Sequence, residues 1–541
     1  AAVVALSYSQ VIRAYPNGGG AYVVAKENLG LLPGLVAGAS LIVDYVLLVA
    51  VSIAAGVAAI TSAVPELYDH RVILAVAAAG GLTLANLRGI RESASIFALP
   101  TYFFVVAFGA LLVTGLIRLA LGHDLTADTP PDVIEPGSQA ITLFLVLRAF
   151  SSGSAALTGI EAVSNGVPAM RPPEPRNAVI VLFWMILILS SFFLGTTVLA
   201  HQIHVVPSET KTVIAQIAET VFGKTPLFYA VQIGTMFILV LAANTSFAGL
   251  PSLASVMARD RVLPRQFAFR GDRLAFSNGI MVLGAASALL LILFQAETHS
   301  LIPLYAVGVF VGFTLAQAGL VLHWRRDPSP AAKWSLAINA AGAAATGVVT
   351  VIVAATKFVD GAWITIAMMA ALTASFVIIH RHYRRVHEQL EVGAAPTLSA
   401  PLRDERGPVR PVLVPVDELN QAVVRTLDYA RSISTNVTAI HVTDEVEEGE
   451  ALREAWERVV PEVPLVIIES PYRSLIAPML AYIDAVDRLD PGAYITVVVP
   501  EFVPARFWQG FLHNQSAVRL KRALLRRPNT VLIDIPYHLE A

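Results

Sequence analysis

The sequence predicts two parts: an all-α membrane domain that crosses the bilayer many times, and a C-terminal α/β domain with a doubly wound parallel sheet. Charged side chains make up 10 % of residues 1–380 (38 residues) but 25 % of residues 381–541 (40 of 161). Soluble proteins average about 25 %. Ten long apolar runs fill the first part, whereas short β-rich runs alternate with helical runs in the second.

A membrane-spanning helix needs roughly 20 apolar residues. The ten runs lie at 33–63, 72–87, 96–121, 138–163, 177–200, 226–257, 277–296, 300–324, 334–356 and 360–380. Residues 1–12 resemble the end of another span, but they lack an initiator methionine and the basic start of a signal peptide. We therefore expect the chain to begin inside a helix, with one further span preceding Ala1.

The distribution of Lys and Arg predicts the orientation of the spans. If the C-terminal domain is cytoplasmic, the cytoplasmic loops carry fourteen basic residues and the opposite loops carry five. This agrees with the positive-inside rule. The stretch AYPNGGGAYVVAKENLG, Ala14 to Gly30, is then a cytoplasmic turn, in which Pro16 ends a helix and three glycines allow close backbone approach.

Several classes of function are excluded by composition. The net charge of −2 does not favour nucleic acid, and the absence of cysteine excludes disulfides, thiolate metal sites and cysteine nucleophiles. The C-terminal domain shows no Ser/His/Asp spacing, no metal cluster and no phosphate loop. We therefore expect no enzyme, no cofactor and no resident metal, and membrane lipid as the surroundings of the first part.

Polar residues deep inside the spans are the candidates for function. Asp44 lies about eleven residues into its span, where a carboxylate costs about 2.5–3.5 kcal/mol and must face a cavity or a partner. A structural pair with an unidentified Arg or Lys is the alternative. Tyr45 and Ser52 are two helical turns apart and share a face. If a missing span counts as the first and residues 1–12 as the second, the run at 138–163 is the sixth span. In this span Ser151, Ser152, Gly153 and Ser154 predict a break in the helix.

Two other polar features of the spans carry less information. Asn244, Thr245 and Ser246 are interpreted first as helix-packing residues. Arg148 and Glu161 are thirteen residues apart, about 20 Å along a helix. They are therefore not expected to pair, and the sequence assigns no partner to Arg148.

The glycine loop, the span that starts at Leu29–Gly30 and the register of all the spans resemble the amino acid–polyamine–organocation transporter superfamily. Finer matches extend the resemblance to the KimA-type potassium importers of that superfamily, over nearly the whole chain. They are LIVDYVLLVAVS (Leu41–Ser52), LRAFSSGSAALTGIEAVSNGVP (Leu147–Pro168), LIPLYAVGVF (Leu301–Phe310) and the α/β domain. The resemblance implies a LeuT-like five-plus-five inverted repeat with twelve spans, the first and sixth broken and the first missing from this chain.

The resemblance also implies a potassium site. The family residues that match Tyr45, Ser52, Thr158 and Tyr305 bind potassium, with Asp44 beside them. Leu48, on the same helix face, stands where the family has a threonine. Backbone carbonyls and hydroxyls are suitable ligands because they replace the water shell of this large cation.

Glu161 is the predicted proton-coupling carboxylate. Thr158, Glu161 and Asn165 are spaced i, i+3, i+7, so a continuous helix places them on one face. Burial disfavours the charged form of a carboxylate, which makes proton uptake plausible. The alternative is that Glu161 only caps or braces the broken helix.

We divide the chain into a transport domain (1–382), a linker (383–409) and a cytosolic domain (410–541). Five β-rich runs, PVLVPVD, NVTAIHVTD, PLVIIES, AYITVVVPEF and NTVLIDIP, separated by helical stretches predict the doubly wound sheet. VLVPVDELNQAVVRTLDYA resembles universal stress protein domains, many of which bind ATP. The G-x-x-G phosphate loop is absent, so Asp417, which matches an adenine-side position, is a weak candidate. A dimerisation module is the alternative.

The sequence thus predicts a secondary transporter that imports potassium with protons and dimerises through its cytosolic domains. The resemblance adds inhibition by cyclic di-AMP, with ATP as the other candidate regulator. An amino acid or polyamine permease of the same fold is the first alternative. A membrane-tethered nucleotide sensor without transport is the second.

Overall fold

The structure is a computed structural model that describes residues 2–15, 20–88, 94–123, 125–127, 142–154, 159–167, 170–208, 210–268, 277–391, 410–443, 446–470, 476–489, 494–503, 516–525, 527 and 529–538. The chain forms two compact units. One comprises Ala1–Leu253 and Asn278–Val377, and the other comprises Ala254–Ser277 and Ile378–Ala541.

The first unit is helical, as predicted. Its helices are α1 (Ala2–Ala14), α2 (Gly20–Leu29), α3 (Leu31–Ala63), α4 (Arg71–Leu87), α5 (Ala94–Ala120), α6 (Leu143–Ser154), α7 (Ile160–Asn165), α8 (Glu174–Gln202), α9 (Val213–Phe222), α10 (Pro226–Arg259), α11 (Ser277–Leu293), α12 (Thr298–Arg326), α13 (Pro330–Thr356) and α14 (Trp363–Leu390).

Eight helices of the described residues are long and apolar enough to cross a membrane, so the chain is a multi-pass membrane protein. Each corresponds to one of the ten apolar runs. The two other runs form shorter helices: 138–163 contains α6 and α7, and 277–296 contains α11.

The glycine-rich stretch corrects one prediction. Most of Ala14 to Gly30 is not a turn, because α2 occupies Gly20–Leu29. This short helix buries Tyr22, Val24 and Asn28, and it packs against α3 and α12. Its burial comes from tertiary packing and not from a long apolar run, so hydropathy does not reveal it. Residues 16–19 lie outside the described residues.

Helices α3 and α12 form the centre of the first unit. Their most apolar segments are 72 % buried, whereas those of the other spanning helices are 11–33 % buried. The two helices pack directly against each other. A polar side chain on α3 or α12 therefore faces protein more often than lipid, and three predicted site residues lie on α3 and one on α12.

The second unit contains the predicted parallel sheet. Strands β1 (Val412–Pro415), β2 (Val437–Thr443), β3 (Leu465–Glu469), β4 (Ile495–Val503) and β5 (Thr530–His538) pair in the order β3-β2-β1-β4-β5, all parallel. The connecting helices are α15 (Gln421–Ile433), α16 (Val446–Val459), α17 (Ile476–Leu489) and α18 (Ser516–Leu524). All five predicted strands are present.

Alternation along the strands divides the core of this domain into two layers. Val412 and Val414 face one side, with Leu427 of α15 and Trp456 of α16. Leu413 faces the other, with residues of α17 and α18. Helices on both faces of a parallel sheet are the doubly wound arrangement, in which ligands bind beyond the carboxyl ends of the strands where the strand order reverses, here between β1 and β4.

The predicted linker starts too early. Helix α14 continues through residues 383–390, and its end belongs to the second unit. There Val386 packs with Ala422 and Tyr537, and the Gln421 side-chain amide donates to the Glu391 carbonyl at 2.9 Å. These contacts stabilise the C-terminal end of α14, so the chain stays helical up to residue 390. Residues 392–409 lie outside the described residues.

Candidate functional site

Three of the predicted site residues lie on α3. Asp44, Tyr45 and Ser52 are 5 %, 6 % and 4 % exposed. The Asp44 Oδ1 atom is buried without a hydrogen-bond partner in the described structure, and none of the ion pairs among the described residues includes Asp44. The described residues thus provide no Arg or Lys for the structural pair that the sequence left open. A buried carboxylate of this kind is costly unless a cation or a proton neutralises it.

Tyr45 is held by a close approach to α10. A methyl group built on Gly249 would lie 2.6 Å from Cε1 and 2.8 Å from the hydroxyl oxygen of Tyr45. The missing side chain at Gly249 therefore makes room for the Tyr45 ring. This contact fixes where the phenol points, and no sequence motif indicated it.

Gly249→Ala should displace the Tyr45 ring, because the added methyl group cannot coexist with the ring in its present position. The resemblance assigns Tyr45 to the expected potassium site, so we expect the potassium concentration for half-maximal uptake to rise by about fivefold or more. The concentration dependence of uptake measures this effect. Gly81→Ala on α4 is the matched control, since a methyl group there meets no atom within 4 Å. Equal losses in both variants would mean that general destabilisation, and not Tyr45, is responsible.

Glu161 lies on α7 and is 4 % exposed. Its Oε1 atom accepts a hydrogen bond from the backbone N–H of Ala21 at 3.2 Å. Ala21 is the second residue of α2, so the carboxylate lies at the positive end of that helix dipole. The alternative that Glu161 caps a helix therefore has a structural basis. The helix that it caps is α2, however, and not the broken sixth span.

Glu161 also faces the two central helices. A methyl group on Gly312 of α12 would lie 3.8 Å from Glu161 Oε2 and 3.3 Å from Ser40 Oγ on α3. Asp44 is close enough to Glu161 for the two carboxylates to interact electrostatically. The structure thus brings the predicted cation residue and the predicted proton residue into one buried region formed by α2, α3, α7 and α12.

The predicted break in the sixth span is misplaced. Helix α6 continues through Ser151–Ser154, and α7 begins at Ile160 after a turn at Gly159. Serine and glycine lower helix propensity but do not by themselves end a helix. Thr158 lies outside the described residues, and so do 155–157; the position of the predicted threonine ligand is therefore not described. Asn165 is the last residue of α7.

Tyr305 lies on α12 and is 4 % exposed. Two residues earlier, Pro303 lies inside the helix and supplies no backbone N–H. The carbonyl of Leu304 accepts a hydrogen bond from Thr365 Oγ1 of α14 at 2.8 Å. Tyr305 is thus on a central helix, in a turn held in place by a neighbouring span.

The polar residues of α10 differ among themselves. Asn244 Oδ1 accepts a hydrogen bond from Asn86 Nδ2 of α4 at 2.8 Å, and Thr245 Oγ1 donates to the Ala242 carbonyl at 2.6 Å. The bond of Asn244 to α4 agrees with the helix-packing interpretation, whereas Thr245 is exposed and its bond lies within α10. Leu48, where the family has a threonine, is half-buried on α3.

Arg148 has a partner that the sequence did not identify. Its Nη2 lies 2.6 Å from Oδ2 of Asp360, more than two hundred residues later in the chain. Lys357 Nζ lies 3.8 Å from the same oxygen. Burial, together with the neighbouring Arg148, lowers the pKa of Lys357 despite Asp360. This cluster joins α6 to the α13–α14 connection.

In the second unit, Asp417 is the second residue after β1 and so lies at the edge of the sheet where doubly wound folds bind ligands. Its Oδ2 accepts a hydrogen bond from Arg265 Nη1 at 3.2 Å. Arg265 also lies 3.6 Å from Glu418, and Arg261 lies 3.8 Å from Glu418. We call Arg261, Arg265, Asp417 and Glu418 the edge cluster. Residues 504–515, which follow β4, lie outside the described residues.

Comparison with known proteins supports both halves of this description. Residues 1–381 match the amino acid permease family, and residues 408–537 match the KimA potassium transporter C-terminal domain. Potassium transporter KimA of Bacillus subtilis (strain 168) is 43 % identical over 539 residues, which cover 99 % of this chain and 87 % of that protein. The low-affinity putrescine importer PlaP of Escherichia coli (strain K12) is 24 % identical over 334 residues, 60 % of this chain and 71 % of that protein. The chain belongs to the family of the KimA potassium transporters, with a membrane part of the amino acid permease type.

Proposed function

We propose that this protein is a secondary transporter that imports potassium together with protons, and not an enzyme. The observation that carries the proposal is the pair of buried carboxylates, Asp44 and Glu161, with no cationic side chain paired to either among the described residues. Two such groups within electrostatic reach of each other need a cation, a proton or both. A transporter site that binds and releases its ions meets that need.

Potassium is the cargo that these surroundings suit best. Tyr45, Ser52 and Tyr305 present oxygen atoms on buried helix faces, and neutral oxygen ligands can replace the weakly held water of potassium. The name of the relative from Bacillus subtilis indicates the same cargo. We assign Thr158 as a further ligand on the strength of the family resemblance alone.

The architecture that we propose is the five-plus-five inverted repeat of LeuT-like transporters, in the cell membrane with the C-terminal domain in the cytoplasm. The separation of the sixth span into α6 and α7 supports it, because discontinuous helices mark the cargo site in such transporters. The basic loops described above support the orientation.

The experiment is uptake in a bacterial host that lacks its own potassium importers. The host should grow at low potassium only when the protein is expressed, and purified protein in liposomes should take up rubidium as a potassium tracer. If the protein takes up amino acids, and added potassium does not inhibit that uptake, the permease alternative replaces this proposal.

A polyamine is the second candidate cargo, because of the similarity to PlaP over 334 residues. Two buried carboxylates are also a suitable arrangement for the two ammonium groups of a diamine. Excess putrescine in the rubidium assay separates the two candidates. If putrescine inhibits rubidium uptake and itself accumulates inside the liposomes, the polyamine is the cargo.

We also propose that the cytosolic domain is a regulatory and dimerisation module that responds to cyclic di-AMP or ATP. The edge cluster supports this role, because it lies where doubly wound sheets bind ligands. Arg261 and Arg265 follow the end of α10, a helix that continues from the first unit into the second. A ligand that binds at this sheet edge and breaks the ion pairs of Asp417 and Glu418 with these arginines would therefore act on a spanning helix through the continuous chain.

Arg265→Ala should abolish most of the inhibition by cyclic di-AMP while the nucleotide still binds, because the variant removes the link between the sheet edge and α10. Uptake in liposomes loaded with cyclic di-AMP and calorimetry on the full chain measure the two properties. Arg384→Ala is the matched control, since Arg384 forms an exposed pair with Glu388 at 3.4 Å on α14 and is not part of the edge cluster.

Full inhibition of the Arg265→Ala variant would exclude this route of regulation. If neither cyclic di-AMP nor ATP binds to the wild-type protein, the domain is an assembly module. Uptake unchanged at all nucleotide concentrations, in a protein that still binds nucleotide, would instead favour a sensor whose output is not transport.

A further inference from the structure

Tyr8 of α1 is a buried polar residue that the proposed mechanism does not yet use. Its side chain is 0 % exposed, and its hydroxyl has no hydrogen-bond partner in the described structure. Buried polar groups nearly always have a partner, and those that lack one call for an explanation. An ion or water molecule bound in the working protein is one such explanation.

The neighbouring polar residues of α1 do have partners. Ser7 donates to Asn339 Oδ1 of α13 at 2.6 Å, and Asn339 Nδ2 donates to Gln10 Oε1 at 2.6 Å. These bonds attach one side of α1 to α13. Tyr8, about 100° further around the helix than Ser7, points elsewhere. Its unpartnered hydroxyl is therefore a local feature and not a sign that α1 is poorly packed.

Packing also fixes the Tyr8 ring. It contacts Phe313 of α12 edge-to-face, with ring centroids 5.1 Å apart and an interplanar angle of 66°. Phe313 is itself 0 % exposed. Since the ring is confined, the hydroxyl cannot turn away to reach water, and its direction is part of the folded structure.

Tyr8 lies beside the region of the two carboxylates. Helix α1 packs against α7, which carries Glu161. Phe313, the ring that Tyr8 contacts, follows Gly312, where an added methyl group would lie 3.8 Å from Glu161 Oε2. Tyr8 is close enough to Glu161, Asp44 and Tyr45 to interact electrostatically with all three, but it donates no hydrogen bond to either carboxylate among the described contacts. A buried phenol oxygen and a buried carboxylate oxygen that both lack a hydrogen-bond partner, here those of Tyr8 and Asp44 among the described residues, are suited to hold a cation between them. A phenol oxygen can accept a cation through its lone pairs.

We propose that the Tyr8 hydroxyl is a ligand of the transported potassium ion, bound between α1 and the Asp44–Glu161 region. This inference rests on the proposed potassium transport and adds α1 to the helices that hold the cargo. The hydroxyl would then gain its missing partner only when potassium is bound. A permanently bound water molecule is the competing occupant, and the experiment distinguishes the two.

The test is Tyr8→Phe, which removes the oxygen and keeps the ring against Phe313. Potassium uptake and potassium-dependent thermal stabilisation are measured on purified full-length protein. We expect KM for potassium to rise by about fivefold or more and the stabilisation by potassium to fall, with normal expression and a melting temperature without potassium that is equal or higher. Tyr102→Phe, at a 70 % exposed position on α5, should leave both properties unchanged.

An unchanged KM together with unchanged potassium stabilisation in Tyr8→Phe would overturn the inference and leave the proposed transport intact. A lower melting temperature at every potassium concentration, with unchanged KM, would identify a structural water and would also overturn it. If the wild-type protein neither transports potassium nor is stabilised by it, the proposed function fails first and the inference fails with it.

Discussion

Replacing Asp44 with asparagine should reduce potassium uptake by at least about tenfold at equal expression in the membrane. Asp44 is a 5 % exposed carboxylate with an unpartnered oxygen, and the proposed potassium ion would be its partner. Loss of a charge-assisted contact of about 1.5–3 kcal/mol corresponds to roughly a ten- to hundredfold loss of affinity. The size and shape of the side chain are kept, so the fold should survive.

Tyr305→Phe should reduce uptake in the same direction, because the family resemblance places that hydroxyl in the same site. The control is Asp69→Asn, which changes the same chemical group at an exposed position in the short 3₁₀ helix Pro65–His70. Rubidium uptake over a range of concentrations separates a change in KM from a change in maximal rate. Wild-type uptake in both Asp44→Asn and Tyr305→Phe would leave the site assignment without support.

The membrane spans and the strands could be predicted because each is local. A run of about 20 apolar residues or five alternating β-rich segments can be recognised without knowing what they contact. Helix α2 could not, since its apolar face is short and includes Tyr22 and Asn28. Its N-terminus is stabilised by Glu161, 140 residues away in sequence. Only the tertiary structure supplies that partner.

The candidate site divides in the same way. Asp44, Tyr45 and Ser52 could be selected from one helix because depth and spacing mark them. The space for the Tyr45 ring depends on Gly249 of α10. Tyr8 becomes a candidate ligand only because its ring packs against Phe313 and lies near carboxylates on other helices. Arg148 and Asp360 are 212 residues apart. A single sequence does not show such pairs, since they depend on packing between distant segments.

In the C-terminal domain, Asp417 could be selected from the sequence, but its ion-pair partner Arg265 could not. The sheet order places Asp417 at the ligand-binding edge, and the loop after α10 contributes Arg265, which the sequence grouped only with the basic cytoplasmic residues. As a basic loop residue, Arg265 contributes to the predicted orientation of the spans, and in the structure it also forms an ion pair with Asp417. Its second role depends on where the loop folds.

Glu161→Gln should abolish proton uptake driven by potassium while potassium binding persists. Glu161 is the buried carboxylate of α7, and Oε1 already accepts a hydrogen bond from Ala21. The positive end of the α2 dipole stabilises the ionised carboxylate. A proton that binds to Glu161 must overcome that stabilisation. Glutamine keeps an oxygen acceptor for Ala21, so α2 should stay capped while the exchangeable proton is lost.

The energetic reason to couple a proton is the membrane potential. Each inward positive charge gains about 2.3 kcal/mol per 100 mV, so a proton that moves with potassium about doubles the electrical drive and adds any pH gradient. In Glu161→Gln, accumulation of potassium against its gradient should therefore fall, and its dependence on external pH should disappear.

The measurements are internal pH and rubidium accumulation in the same liposomes, with potassium stabilisation of the melting temperature as the readout for binding. Glu161→Ala distinguishes the two roles of the residue, because it also removes the acceptor for the Ala21 N–H. If glutamine behaves as wild type while alanine unfolds or loses all activity, Glu161 only braces α2. Retained pH-dependent accumulation in Glu161→Gln would transfer the coupling role to Asp44, the other buried carboxylate of this region.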